Sequence, residues 1–252
     1  MQQPPRLRIE LPAQAYTAIY ALSDIHGCHD ALLEAERCIV EDAATIPGRK
    51  LLMHLGDYVD RGPRSSEVLQ HLCEPPPDGF DRYCLLGNHD DAFLKFLDDP
   101  SAHSGWLDFG AGPTLASYGI DMDYLLRQEG RGMEALGEAV RAAMPPEHIE
   151  LLRSLPVAVT LGPLVFVHAG IRPGIALAEQ TVEDLIWIRE PFLSKGPQLP
   201  LLVVHGHTPV SRPSFEEGRI GIDTAVSMGG YLTVLKIAKG GTSLLAMVPA
   251  EP

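Results

Sequence analysis

One short stretch, residues 51–63 (LLMHLGDYVDRGP), limits what this chain can fold into more than any other. Its apolar first half is typical of a buried strand, and the carboxylate of Asp57 follows almost at once. Asp60 and Arg61 come next, in a turn. Because α/β folds build their sites at the carboxyl ends of strands, this pattern predicts a site loop at a sheet edge. Two acids and an arginine in one such loop indicate a metal ion beside an anion.

Strands and helices alternate in the first part of the chain. The apolar and β-branched pattern predicts strands at 16–22, 51–55 and 80–86, after a polar lead-in over residues 1–15. Helical patterns lie between and after them, at 30–42, 65–73 and 92–97. This repetition favours parallel βαβ units. Strands dominate again from residue 157, at 157–161, 164–167, 201–204, 219–222, 232–237 and 243–248. Short glycine-containing turns join several of them, which indicates an antiparallel or mixed second sheet.

The segment at about 98–150 interrupts this pattern with glycines and prolines, and we interpret it as a helical cap beside the site. Its main helix is predicted at 124–144, although three glycines weaken it, and another follows at 147–154. Long insertions of this kind usually carry specificity. Trp106 in this segment and Trp187 beyond it are expected to be core residues.

Composition narrows the class of protein. The chain has 252 residues, 45% of them hydrophobic, and is expected to form a single domain over 1–252. Its net charge of −13 argues against nucleic acids and anionic membranes as partners, since these bind to clusters of lysine and arginine. No apolar run approaches the ~20 residues that span a bilayer, and no signal peptide is evident. The four cysteines are dispersed, so we expect reduced thiols and a cytoplasmic protein.

Five predicted strand ends carry side chains that can bind a metal. These are Asp24 and His26, Asp57, Asn88, His168 and His207. Carboxylate, imidazole and amide donors suit Mn²⁺, Fe²⁺ or Zn²⁺, and the absence of thiolate argues against a structural zinc site. Six ligands are too many for one catalytic ion with an open position, and they suit two ions that share a carboxylate. Such a pair clamps an in-line displacement at phosphorus, and a bridging water would lose a proton near neutral pH.

Three further residues suit the remaining chemistry. His89, next to Asn88, is free to act as the general acid. Asp60 could hold its ring in the required tautomer, as carboxylates commonly do for imidazoles. Arg61 offers a planar fork for phosphoryl oxygens.

Together these residues form a recognisable set of blocks: DIHG (24–27), GDYVDRG (56–62), GNHD (87–90), HAG (168–170) and GHTP (206–209). In type and order they resemble the calcineurin-like metallophosphoesterases, and within them the bacterial PPP-type serine/threonine protein phosphatases. The resemblance implies an α/β fold of two packed mixed β-sheets flanked by helices, with the site at the sheet edges.

The resemblance also implies roles for individual residues. Asp24, His26 and Asp57 would hold one metal, while Asp57, Asn88, His168 and His207 would hold the other. Two Mn²⁺ ions are expected, with iron or zinc as alternatives. Arg61 matches the family's first phosphate-binding arginine. Arg189, at the end of DLIWIR (184–189), is similar to the second.

The implied activity is hydrolysis of phosphomonoesters by direct attack of a metal-bridging hydroxide, with a serine/threonine phosphoprotein as the expected substrate. The alternative is a hydrolase of diadenosine tetraphosphate or another dinucleoside polyphosphate, and it comes from the related symmetrical dinucleoside-tetraphosphate hydrolases. Asp60 and the Thr208-Pro209 pair favour the phosphatase branch. A non-catalytic metal-binding scaffold is disfavoured, because it would not need the Asp60–His89 pair. The oligomeric state is left open.

Overall fold

A computed structural model describes residues 6–127 and 132–250. Its strands form two sheets. The first contains β2 (Ala18–Leu22), β3 (Lys50–His54), β4 (Phe80–Cys84), β10 (Asp223–Thr224), β11 (Tyr231–Ala238) and β12 (Gly241–Pro249). The second contains β1 (Arg8–Leu11), β5 (Ala158–Leu161), β6 (Leu164–Val167), β7 (Leu202–His205), β8 (Ser214–Glu216) and β9 (Arg219–Gly221).

Both sheets are mixed. In the first, β2, β3 and β4 run parallel, as the βαβ pattern predicts, and β11 pairs antiparallel with β2. In the second, β6, β7 and β9 are parallel to one another, while β5 and β8 run antiparallel to their neighbours β6 and β9. The predicted fold of two mixed sheets flanked by helices is confirmed.

The helices are α1 (His29–Ala43), α2 (Ser65–Cys73), α3 (Asn88–Asp98), α4 (Ala111–Ser117), α5 (Met122–Leu126), α6 (Gly132–Ala143), α7 (Pro146–Ser154), α8 (Val182–Trp187) and α9 (Phe192–Lys195). Three short 3₁₀ helices complete the secondary structure of the described residues, at Ser104–Phe109, Leu177–Glu179 and Val226–Met228. The segment 98–150 is helical, as predicted. The helix predicted at 124–144 corresponds to α5 and α6, and residues 128–131 between them lie outside the described part.

Alternation along the central strands explains why they are apolar throughout. Ile19 and Ala21 of β2 belong to the cluster between the two sheets, whereas Tyr20 and Leu22 pack into the cluster under the helices. Successive side chains of a strand point to opposite faces, so a strand buried on both faces must be apolar at nearly every position. This double burial holds the strand ends, and the loops that follow them, in fixed positions.

The predicted polar lead-in over residues 1–15 is wrong for its central part. Arg8–Leu11 forms β1 and pairs in parallel with β5. The strand is short, and its only signal is the alternation of apolar and charged residues over 7–11, which matches its pattern of partly buried and exposed residues. Residues 1–5 lie outside the described part of the chain.

Two features bear on the class of protein. The four cysteines are free thiols. Among the helices within 6–127 and 132–250, none has the length and apolar character needed to cross a membrane.

Candidate active site

The predicted site loops meet at one edge of the two sheets. Backbone hydrogen bonds join them, from the amide of His26 to the carbonyl of Asp57 (2.9 Å) and from the amide of Gly206 to the carbonyl of His168 (2.8 Å). Asp57 lies in the loop after β3, and Asn88 begins α3 after the three residues that follow β4. The loops from different strands are thus tied to one another at the position of the candidate ligands.

Asp57 lies at the centre of the site. Its Oδ2 atom lies 3.6 Å from Nε2 of His26 and 3.4 Å from Nε2 of His168. Two groups of potential ligand atoms, each within 4.8 Å of one another, share this carboxylate: His26, Asp57 and His89, and Asp57, His168 and His207. A shared carboxylate between two groups is the arrangement expected of a bridging ligand.

Asn88 connects the second group. Its Oδ1 atom lies 2.9 Å from Nε2 of His168 and 2.8 Å from Nδ1 of His207. Nδ1 of His168 donates to the carbonyl of Leu55 at 2.8 Å, so its Nε2 is the ring atom that faces Asn88 and Asp57. A cation that displaced the proton from Nε2 would meet nitrogen and oxygen donors that converge on one point. The residues present therefore fit a metal ion.

The electrostatics of the site also favour a bound cation. Burial lowers the pKa of His168, but the nearby carboxylate of Asp57 outweighs burial and raises that pKa to about 10. A buried carboxylate thus draws positive charge towards this group of side chains. Burial lowers the pKa of His26 to about 3, and Nδ1 of that ring lies 2.7 Å from the carbonyl of Val59. His26 is therefore a neutral ring with a lone pair on Nε2, the form that ligates metals, and in this structure that lone pair faces the guanidinium of Arg61.

Asp24 lies at the same sheet edge, but its carboxylate makes other contacts. Its carboxylate accepts the backbone N–H of His207 at 3.0 Å and the hydroxyl of Ser23. It therefore belongs to neither of the two groups found among the described residues, and His89 takes the third position in the first group.

The backbone of the site is unusual. Six of its non-glycine residues have positive φ: Asp24 (53°), His26 (46°), Asp57 (59°), Asp60 (72°), Arg61 (68°) and His207 (65°). Left-handed backbone costs roughly 1–3 kcal/mol per residue and persists only where the surroundings impose it. Strained backbone of this kind clusters at functional sites. No sequence pattern predicted it here.

A buried pair of side chains lies beside the metal-binding groups. Nδ1 of His89 lies 2.7 Å from Oδ2 of Asp60, which is fully buried. Burial lowers the pKa of His89, but the charges of Asp57 and Asp60 and the hydrogen bond to Asp60 raise it overall. With Nδ1 donating to Asp60, Nε2 of His89 is the atom that faces Arg61. The predicted general acid and its predicted partner are thus in contact.

Two residues of the 98–150 insertion donate hydrogen bonds to the carboxylate of Asp60. Trp106 donates its indole N–H to Oδ2 of Asp60 at 3.0 Å, and the hydroxyl of Thr114 donates to Oδ1 at 3.1 Å. Trp106 is buried, as predicted, but its hydrogen bond was missed, because the two residues are 46 positions apart in the sequence.

For Asp90 the sequence left open a supporting role beside the metal ligands or a helix cap alone. Its buried carboxylate accepts the backbone N–H groups of Asp57 (2.9 Å), Tyr58 (2.9 Å) and Gly87 (3.0 Å). These bonds join the Asp57 loop to the start of α3. The acid in the GNHD block is the only signal that could have indicated this contact, and it is equally typical of a residue that caps a helix.

The two predicted arginines lie at the same pocket in different ways. The guanidinium of Arg61 lies between two rings, 2.8 Å from Nε2 of His26 and 3.0 Å from Nε2 of His89. Arg189 is exposed on the pocket wall. Neither Glu183 nor Glu190 forms an ion pair with it, and Glu190 accepts instead from the hydroxyl of Ser194 at 2.5 Å.

The pocket itself has a volume of about 410 Å³. Its walls contain ligand candidates, both arginines and part of the insertion: Asp57, Arg61, Asn88, His89, Asp108, Phe109, Gly110, Trp187, Arg189 and His207. The expectation that Trp187 is a core residue is wrong, since 37% of it is exposed. It ends α8, where only Leu185 and Ile186 are buried.

Known proteins are similar to this chain in sequence and in fold. A bis(5'-nucleosyl)-tetraphosphatase PrpE [asymmetrical] from Bacillus velezensis is 27% identical over 232 residues, which cover 84% of this chain and 86% of that protein. The crystal structure of a protein provisionally described as a diadenosine tetraphosphatase superposes with a TM-score of 0.66 at 20% identity, covering 97% of this chain and 99% of that one.

A protein serine/threonine phosphatase from Saccharomyces cerevisiae has the same fold, with a TM-score of 0.59 at 15% identity and coverage of 98% of this chain and 84% of that one. The family model for calcineurin-like phosphoesterases matches residues 17–229, which contain all the loops described above. The chain therefore belongs to the calcineurin-like phosphoesterase family and is a metallophosphoesterase.

Proposed function

We propose that this enzyme hydrolyses nucleoside polyphosphates and that a dinucleoside tetraphosphate is its preferred substrate. One observation carries the proposal: a single pocket joins the Asp57-centred groups, the His89–Asp60 pair and two arginines. Its volume, about 410 Å³, lies in the range of small-molecule sites. The name of the curated relative from Bacillus velezensis supports the same substrate class. The comparisons thus favour the alternative from the sequence analysis over a serine/threonine phosphatase.

Two divalent ions belong to this proposal. Asp57, Asn88, His168 and His207 would hold one, and Asp57 with His26 would hold the other, joined by Asp24 if its carboxylate turns inward. When bound, the ions polarise phosphoryl oxygens and activate a water molecule. Nitrogen and oxygen donors without thiolate support Mn²⁺ as the ion for reconstitution.

The chain's own residues would supply the rest of the chemistry. His89 would donate a proton from Nε2 to the leaving oxygen, and Asp60 would keep Nδ1 protonated. Arg61 and Arg189 would bind the phosphoryl oxygens. Because Nε2 of His26 has a single lone pair, its ligation would leave the guanidinium of Arg61 free for the substrate.

One observation favours a second candidate, a phosphoprotein phosphatase. The buried Asp60–His89 pair suits protonation of a serine or threonine alkoxide, which is a poor leaving group. A nucleotide leaves as a phosphate anion and needs less help from an acid. Both candidates use the same groups, so the substrate has to be decided by rates.

The test is a substrate panel with the Mn²⁺-loaded enzyme. We expect kcat/KM for diadenosine tetraphosphate to exceed that for a phosphoserine peptide and for p-nitrophenyl phosphate by more than about tenfold, because the dinucleotide would offer bases as well as several phosphates to the pocket walls. The Asp57→Asn variant, purified in the same way, controls for contaminating phosphatases. A preference for the peptide would reject the proposal and establish the second candidate.

The arginines provide a separate prediction. Arg61→Lys and Arg189→Lys should each lower kcat/KM by roughly ten- to a hundredfold, because lysine keeps the charge but not the bidentate fork. Inhibition by orthophosphate should weaken in parallel. The matched control is Arg37→Lys, since Arg37 pairs with Glu34 and Glu41 on the surface of α1 and does not line the pocket. Unchanged phosphate inhibition in both pocket variants would contradict the proposed role.

We also infer a cytoplasmic location. Four free cysteines suit a reducing compartment and support this inference.

A further inference from the structure

Two aromatic side chains in the pocket wall remain open to solvent. Phe109 is 39% exposed and Trp187 is 37% exposed. Their rings meet edge to face, with centroids 5.8 Å apart. The ring of Phe109 lies 5.7 Å from that of His89, and the ring of Trp187 lies 6.1 Å from that of His207. The aromatic pair therefore borders both the candidate acid and a candidate metal ligand.

Core packing does not account for these rings. Aromatic side chains close by are buried, as Phe93 and Phe96 of α3 are against Trp106. Phe109 and Trp187 come from different parts of the chain, the insertion and α8, and meet only at the pocket. Exposed apolar area inside a concave polar site is area that a ligand can cover.

Asp108 adds a constraint on what that ligand is. It lines the pocket beside Phe109 and is exposed, and no ion-pair partner is found for it among the described residues. Its carboxylate would repel a phosphoryl group, but it can accept a hydrogen bond from an N–H group. A flat ring that carries N–H donors fits the two aromatic rings and Asp108 together, and a nucleobase has both properties.

We propose that Phe109 and Trp187 form a subsite for a nucleobase of the substrate, with Asp108 accepting a base N–H. The inference rests on the proposed function, since a phosphoserine side chain has no ring to stack. Stacking of a base on an aromatic side chain typically contributes about tenfold or more in affinity. This subsite would let the enzyme distinguish a dinucleotide from a polyphosphate without bases.

The test compares two substrates with the same phosphoanhydride linkage. The variants Trp187→Leu and Phe109→Leu are assayed, with Mn²⁺, on diadenosine tetraphosphate and on inorganic tripolyphosphate. We expect the ratio of kcat/KM values, dinucleotide over tripolyphosphate, to fall about tenfold in each variant. Both rings also contact histidines of the site, so a substitution could change the rate on both substrates. The ratio removes such common changes and reports only the effect of the base. Trp187→Phe should restore most of the ratio.

The matched control is Phe215→Leu, because Phe215 is 50% exposed on β8 and does not line the pocket. An unchanged ratio in both Leu variants would overturn the subsite and leave the proposed function intact. A wild-type enzyme that prefers the phosphoserine peptide would overturn the proposed function itself, so the two failures are distinguishable.

A binding measurement tests the subsite without catalysis. The chain has two tryptophans, and Trp106 is buried, so Trp187 is the accessible reporter. Adenosine monophosphate should quench the tryptophan fluorescence of the metal-loaded protein, whereas ribose 5-phosphate, which lacks the base, should not. The quenching should disappear in Trp187→Phe. Quenching of equal size in that variant would place the base elsewhere and overturn the proposal.

Discussion

The Asp57→Asn variant is expected to lose more than about a hundredfold in kcat/KM, since even residues that only support metal ligands cost about 10–100-fold when replaced. Asp57 is shared by both groups of candidate ligands, so an amide at this position weakens two sites at once. Elemental analysis after loading with Mn²⁺ and desalting should find about two ions per wild-type chain and clearly fewer per variant chain.

The matched control for this variant is Asp98→Asn. Asp98 is 47% exposed and pairs with Arg153, away from the pocket. Circular dichroism should show that both variants keep the fold. If Asp57→Asn retained two ions and full activity, Asp57 would not be a bridging ligand.

The second large effect is expected for His89→Asn, with a loss of about 10²–10⁴ in kcat on an alkyl phosphate. The asparagine cannot protonate the leaving oxygen. The loss should be smaller on p-nitrophenyl phosphate, whose leaving group is stable as an anion. The same reasoning predicts a smaller loss on diadenosine tetraphosphate.

Metal content decides what a loss of activity in this variant means. The structure places His89 within reach of His26 and Asp57, so it is a candidate ligand as well as a candidate acid. If the variant retained two ions and its loss of activity depended on the leaving group, His89 would be supported as the general acid. One lost ion and equal losses on alkyl and aryl phosphates would identify a ligand instead. The exposed His103, changed to asparagine, is the control.

Much of the fold could be predicted because the apolar pattern is strong. β6 and α2 have the predicted bounds. The apolar run of β6 and the helical apolar pattern of α2 each end at clear turn residues. The site loops could be located for a related reason: buried parallel strands must end at the same edge. β1 was missed although Leu7, Ile9 and Leu11 alternate with charged residues, because this alternation covers only five residues in a stretch that also contains prolines.

The details of the site depend on contacts distant in sequence. The sequence marks Asp24 as a ligand candidate, but the direction of its carboxylate is set by the backbone of His207, 183 positions away. The loop predicted around Asn88 and His89 is instead the first turn of α3, because Asp90 joins the helix start to the Asp57 loop. Positive φ at His26 and Asp60 likewise depends on the surrounding contacts, although Asp and His adopt it more readily than most residues.

The two hydrogen bonds that Asp60 receives from Trp106 and Thr114 limit how this enzyme can evolve. The segment they belong to also supplies Asp108 and Phe109 to the pocket wall, so one stretch of chain would serve both the proposed nucleobase subsite and the proposed general acid. A lineage that replaced this stretch to accept a new substrate would also remove the groups that hold the acid's partner. Substrate range in this enzyme should therefore diverge by point substitutions around Phe109, and transplanting a whole insertion from a relative should succeed only when it brings its own donors for Asp60.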